Sequence, residues 1–286
     1  MKKLLFLIVV VVAMAFTADK PAYLLYDNTG KLISYETMIN KLKNADIVFY
    51  GELHNNPIAH WLELEITKDL FAAKKENLVL GAEMFEADNQ LIMDEYFKGE
   101  IKQKTFEDEM RLWPNYATDY KPLLEFAKTN NIHFVATNIP RRYASIVAKK
   151  GFEGLDNLTP EAKKFIAPLP INYDENVDCY KDMLNMKGMP SHMTANFPKA
   201  QAIKDATMAH FIMKNWKPGK LFLHYNGSYH SDRHQGIVWH LMTQNPKLKV
   251  LTVTTVSQDD LSKIDDKTKK LADFIVVVPE DMTTTY

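Results

Sequence analysis

One cysteine, Cys179, stands in 286 residues. That excludes an intramolecular disulfide framework. Cys179 also lies too far from the start to be the lipid-bearing cysteine that follows the leader of a bacterial lipoprotein. Stability must come from a hydrophobic core, which a chain of this length can build. Charge of one sign is equally scarce: 35 Lys and Arg face 36 Asp and Glu, with no basic tract. A nucleic-acid partner is therefore excluded, because nothing gathers phosphates. Beyond the first residues there is no apolar run near the roughly 20 residues that a membrane-spanning helix needs. No repeat recurs at a solenoid period. The helical zinc signature His-Glu-x-x-His is missing too, so a metal site has to be assembled from separate loops.

What is present begins with a secretory pattern. Lys2 and Lys3 form a charged start, Leu4 to Val12 a short apolar core, and Ala13-Met14-Ala15 a small-x-small cleavage site. The expectation is a signal peptide over 1–15, cut after Ala15 or as late as Ala18, rather than a retained anchor. Residues 20–286 then form one exported domain, periplasmic or membrane-associated, without a lipobox cysteine.

Short apolar runs alternate with helical patterns. Strands are expected at 46–50, 78–82, 132–137, 221–223, 250–256 and 274–278. Residues 22–26 and 32–35, around Asn28-Thr29-Gly30, read as a small hairpin. Helices are expected over 38–43, from Pro57 to about Ala73, within 88–110, over 123–128, after Pro140, over 199–216 and over 232–243. The fold class is α/β: a mainly parallel sheet flanked by helices. A stretch over about 155–199, rich in Pro, Asn, Tyr and Met, breaks the rhythm and reads as a helical insertion or cap. Its Met183, Met186, Met189 and Met193, with His192, suit core filling, an apolar ligand wall or copper(I).

Ligands of open parallel sheets bind beyond the carboxyl ends of the strands. Here those ends carry Glu52 and His54, Glu83, Asn138, and His224. Gly227-x-x-His230 repeats the spacing of Gly51-x-x-His54, and His230 and His234 share a helix face if a helix begins by Ser231. Imidazoles and carboxylates suit a divalent transition metal, with His54, Glu83 and His230 as ligands. His60 reads as a support to that site or a helix-surface residue; His133, His210 and His240 read as structural. Tyr225 and Tyr229 flank the same turn, and a phenolate ligates ferric haem iron. Arg141, Arg142 and Arg233 suit haem propionates or ordinary salt bridges. Trp113, Tyr116 and Tyr120 are an aromatic wall or plain core.

Taken in order, Gly51-Glu52-Leu53-His54-Asn55-Asn56-Pro57 with His60, Glu83-Met84-Phe85, Asn138 with Arg141, Ala200-Gln201 through Asp205 to Met208-Ala209, and Gly227-x-x-His230 resemble the ChaN family of haem-binding uptake proteins. That family sits in a wider group with Tiki-type proteases, TraB and erythromycin esterase-like enzymes. The similarity covers about 46–278. It implies a non-catalytic, exported protein that binds haem in iron acquisition, with haem held at a homodimer interface by a tyrosine. It also implies an outer-membrane or transport partner. Candidates for holding haem are Tyr225, Tyr229, His224, Asn138, Arg141 and Arg233, with Tyr143 and Tyr180 as further tyrosines. The wider group implies an alternative: a metal-dependent hydrolase with His54, Glu83 and His230 as ligands and Glu52 as general base. The chain departs from the family's lipoproteins in having no cysteine behind its leader.

Overall fold

The structure, a computed structural model, describes residues 20–184 and 196–286. The leader pattern lies outside the described residues, as do Met186, Met189, His192 and Met193. Along the described chain run β1 (Leu24–Asp27), α1 (Tyr35–Leu42), β2 (Ile47–Glu52), α2 (Pro57–Lys74), β3 (Leu78–Glu86), α3 (Gln90–Phe97), α4 (Gln103–Glu109), α5 (Lys121–Thr129) and β4 (His133–Asn138). There follow α6 (Arg141–Lys150), α7 (Pro160–Lys163), α8 (Asp178–Leu184), α9 (Phe197–Asn215), β5 (Leu221–Gly227), α10 (Ile237–Gln244), β6 (Val250–Gln258) and β7 (Phe274–Pro279). Among the described residues no helix is long and apolar enough to cross a membrane.

The strands form one sheet in the order β1-β7-β6-β2-β5-β3-β4. Every pairing is parallel except β1 on β7. The expected α/β architecture is the one observed. β2, β3 and β5 are buried along their whole length, and their opening runs are apolar because both faces are covered. Successive residues alternate between the faces. Val48, Leu80 and Leu223 pack with Leu62, Ile66 and Leu70 of α2. Ile47, Phe49, Val79 and Phe222 pack with Met208 and Ile212 of α9 and Ile237 and Leu241 of α10.

Three local expectations change. The N-terminal hairpin closes with only the Tyr26–Leu32 bridge. Its first arm instead becomes the antiparallel edge strand on β7, from Leu24↔Val277 to Asp27↔Phe274. The second arm turns into α1, where the Ser34 hydroxyl accepts from Thr37 N at 3.2 Å. Next, β3 and β5 each continue four residues past the runs expected at 78–82 and 221–223, to Glu86 and Gly227. The polar segment of β5 stays extended because its side chains find buried partners, which removes the usual penalty on buried polar groups. Last, 232–243 is not one helix. A 3-10 turn over Asp232–His234, with Arg233 and His234 at positive φ of 59° and 56°, precedes α10. His234 faces Asp273 at 3.1 Å, so it shares no helix face with His230.

The strong start of α2 places the site. Asn56 caps it, its side-chain oxygen accepting from Ile58 N and Ala59 N at 3.0 Å, and Pro57 occupies the first turn. The helix then buries His60, Glu63 and Thr67 together with Leu62, Ile66 and Leu70. The first three, at i, i+3 and i+7, make a polar stripe on a face that otherwise carries core.

Candidate functional site

Two carboxylate–histidine clusters lie at the carboxyl ends of β2, β3 and β5, and two glycines dock them together. At Gly51 a Cβ would lie 2.9 Å from Ser228 Cα, so only glycine lets β2 sit against the turn that follows β5. At Gly227 a Cβ would lie 2.7 Å from both Cε1 and Nε2 of His54. Each Gly-x-x-His segment thus receives the other in the space its glycine leaves.

The first cluster grows from Glu52, 1% exposed. Its Oε1 accepts from the Tyr120 hydroxyl at 2.7 Å and lies 2.6 Å from His54 Nδ1. The His54 side chain is 37% exposed and meets Trp113 edge-on, with ring centroids 4.9 Å apart. Behind it, His60 Nδ1 lies 3.2 Å from Glu63 Oε2 and 3.5 Å from Glu52 Oε2. Its Nε2 lies 3.0 Å from the His54 carbonyl oxygen and 3.4 Å from Asp119 Oδ2. Burial pushes the carboxyls of Glu52 and Glu63 up to about 8; the Glu63 charge adds to the rise at Glu52, and the Asp119 charge adds to it at Glu63. Burial opposes charge on His54, but Glu52 and Glu83 outweigh it and raise its pKa.

The second cluster is an imidazole between two acids. His230 Nε2 lies 3.1 Å from Glu83 Oε1, and Nδ1 contacts Asp205 Oδ1 from α9. Gln201 Nε2 sits 3.1 Å from the same ring. The Tyr180 hydroxyl donates to Asp205 Oδ2 at 2.9 Å, and Gly227 N donates to Glu83 Oε2 at 2.9 Å. Burial alone would lower His230; Glu83 and Asp205 instead raise it to about 10, so it is an imidazolium at neutral pH. Burial likewise opposes charge on Glu83, but the His230 charge holds it well below the usual carboxylate range.

The structure thus brings Glu52, His54, Glu83 and His230 into one neighbourhood. Within the sequence-derived metal trio, Glu83 and His230 pair directly, while His54 spends Nδ1 on Glu52 and turns Nε2 toward Gly227. Asn138 donates Nδ2 to the Glu83 carbonyl at 2.9 Å, and its buried Oδ1 has no partner among the described residues.

The haem candidates separate by exposure. His224 is fully buried inside β5, with Nε2 2.8 Å from Thr137 Oγ1 and Nδ1 3.0 Å from Asn226 Oδ1; burial lowers it to about 4. Tyr225 is buried on the opposite face against the Thr67 hydroxyl. Tyr180 is 0% and Tyr143 8% exposed. Tyr229 alone of these tyrosines reaches the surface, at 38% exposed. It donates to the Cys179 carbonyl, and burial of its ring pushes the phenol up to about 12. Arg233, four residues on and close enough to act electrostatically on the Tyr229 phenol, has a half-exposed side chain 3.0 Å from Asp182. Arg141 is largely exposed with Nε 3.6 Å from Glu86, and Arg142 pairs with Asp88 at 2.6 Å. Of the insertion's methionines, Met183 is buried on α8.

Sequence reasoning missed Glu63, Asp119 and the role of Asp205. For Glu63 and Asp205 the signal was an acid at a position that helix periodicity assigns to a buried face, beside His60 in α2 and beside Ala202 and Ala206 in α9; Asp119, in the short turn over Tyr116–Tyr120, carried no such signal.

Comparison with known proteins gives a consistent result. A family model described as haem-binding uptake, Tiki superfamily, ChaN, matches residues 38–241. A solved structure of ChaN from Campylobacter jejuni, described as showing cofacial heme binding, superposes with a TM-score of 0.66. It is 20% identical, over 90% of this chain and 96% of that one. A mutant of erythromycin esterase EreC in its open conformation superposes with a TM-score of 0.52. It is 12% identical, over 91% of this chain and 98% of that one. At those identities both show a shared fold. Protein RETICULATA-RELATED 5, chloroplastic, from Arabidopsis thaliana is 26% identical over 190 residues, 61% of this chain. The chain spans a quarter of the length of that relative.

Proposed function

The chain belongs to the ChaN family of the Tiki superfamily, described as haem-binding uptake proteins, and from that premise we propose that it binds haem as cargo in iron acquisition. The observation that carries the reading is the placement of Tyr229: a surface tyrosine next to a half-exposed arginine, while the other candidate tyrosines are buried. A haem needs an axial ligand, cationic partners for its propionates and an apolar wall. Tyr229 supplies the first. Arg233 and the largely exposed Arg141 are candidates for the second. Leu184, 46% exposed at the end of the helix whose Cys179 carbonyl holds Tyr229, offers apolar surface. Bound ferric iron supplies the positive charge that stabilises a phenolate, which the free protein lacks. A second copy of the chain on the other side of the haem fits a ligand held at an exposed tyrosine. Export follows from the leader pattern at Lys2 to Ala15, and the delivery partner from the role in uptake.

The test is absorbance titration with hemin. The full-length protein is expected to give a saturable Soret change. Tyr229→Phe moves that band and weakens binding by roughly tenfold, about 1.4 kcal/mol. A Soret change unaltered by Tyr229→Phe removes the ligand assignment.

One observation favours a second reading, hydrolysis. His54 is half-exposed, with Nδ1 held by a buried carboxyl and Nε2 turned toward Gly227 beside Glu83. That arrangement suits an oriented acid or base. In the metal-dependent form His54, Glu83 and His230 would hold the ion, which would supply an activated water, and Glu52 would be the base that receives its proton. A divalent metal lost on His54→Ala, with no hemin binding, favours it.

A further inference from the structure

The acids and imidazole behind Glu52 are not used by the haem reading, and their geometry leaves a charge unaccounted for. His60 Nε2 faces the His54 carbonyl at 3.0 Å and the Asp119 carboxylate at 3.4 Å. A carbonyl oxygen only accepts, so Nε2 carries the ring hydrogen. In the neutral imidazole Nδ1 therefore presents a lone pair. It presents it to Glu63 Oε2 at 3.2 Å and Glu52 Oε2 at 3.5 Å, atoms that also offer lone pairs. Glu52 Oε2 and Glu63 Oε1 are buried and have no hydrogen-bond partner among the described residues, in residues each 1% exposed. Glu52, His60 and Glu63 each place a ligand atom within 4.8 Å of the others. Lone pairs converging in a buried space require something positive between them.

We propose that Glu52, His60 and Glu63 form a buried binding site for one divalent transition-metal ion, distinct from the Glu83–His230 cluster. The donor set, two carboxylates and one imidazole, is one that zinc takes. The surroundings are those of a ligating shell. The other nitrogen of a ligating histidine characteristically donates to a carbonyl or carboxylate, as His60 Nε2 does here. Glu52 is oriented through its other oxygen by the Tyr120 hydroxyl at 2.7 Å and by His54 Nδ1 at 2.6 Å. Asp119 is fixed in turn by Asn115 Nδ2 at 2.6 Å and the Thr285 hydroxyl at 2.7 Å. His54, the partly exposed member, stands between Glu52 and solvent and marks the way in. The site rests on its own residues and stands or falls independently of haem.

The experiment is equilibrium dialysis of the full-length protein against zinc chloride, read as bound zinc per chain. Wild type is expected to hold one ion tightly, and His230→Gln to hold it equally. Glu63→Gln and His60→Ala, checked for native circular dichroism, lose it. Tyr120→Phe keeps every ligand and weakens binding about tenfold through the lost orientation of Glu52. Absence of stoichiometric zinc in wild type overturns the proposal and leaves a shared proton in the cluster. So does zinc that survives Glu63→Gln, or zinc lost from His230→Gln alone, which places the ion at the other cluster. If a variant fails to fold, the wild-type stoichiometry and the Tyr120→Phe affinity still decide.

Discussion

Replacing His230 by leucine is expected to cost the fold about 3–5 kcal/mol. The readout is a lower urea midpoint at unchanged slope. The imidazolium sits between Glu83 and Asp205, both nearly fully buried. Leucine removes the charge held between those two acids and takes away the largest compensation that Glu83 has. His230→Gln keeps a hydrogen-bonding side chain and costs less. Adding Asp205→Asn to His230→Leu recovers part of the loss, because the two substitutions act on one network. A loss below about 0.5 kcal/mol, the range of ordinary surface substitutions, would mean that the pair is not formed as described.

The same cluster predicts how stability depends on pH. The pKa of His230 is raised from an ordinary 6.5 to about 10. A group whose folded pKa is raised stabilises fully below its unfolded pKa, and that stabilisation is lost as pH rises through the folded one. His230 therefore contributes in full below about pH 6.5, and its contribution fades between there and about pH 10. The amount is of the order of a few kcal/mol. Glu52 and Glu63, raised from 4.5 to about 8, act in the same direction over a lower window. Glu83, held low, acts the other way: its contribution is present above about 4.5 and lost as pH falls below that. The His230 part is isolated by comparing urea midpoints of wild type and His230→Gln from pH 6 to pH 10. The gap between them should narrow as pH rises. A constant gap contradicts a buried imidazolium.

Much of the fold was legible because the signal was apolar. Runs such as 47–50 and 78–82 are hydrophobic on both faces, and a strand covered on both sides needs that. The reading failed where polar residues were buried in pairs. In β5, His224, Tyr225 and Asn226 look like the start of a loop, yet Thr137, Thr67 and Ser231 satisfy them inside the sheet. Those partners lie 87, 158 and 5 residues away, so local pattern carries no trace of most of them. The same effect separated the haem candidates. Tyr225 and Tyr229 are equivalent on paper, and strand alternation buries one while the following 3-10 turn exposes the other.

The site itself was half legible. Strand-end reasoning found Glu52, His54, Glu83 and His230, because polar residues directly after apolar strands gather at one edge. It did not find Glu63, Asp119 or Asp205, which come from helices and a short turn. Glu63 was discoverable: with His60 and Thr67 it sets a polar stripe on a face whose other members are core. Acids at such positions are expensive unless something pairs with them, so they deserve reading as site residues first.

The haem reading is tested most directly by sedimentation of the full-length protein mixed with hemin and followed at the Soret wavelength. The predicted result is haem absorbance that travels with the protein and saturates at a fixed ratio. The sedimenting species should be larger than the 33.0 kDa chain, as a haem held between two copies requires. Haem absorbance that sediments apart from the protein, or that rises with added hemin without saturating, would contradict it.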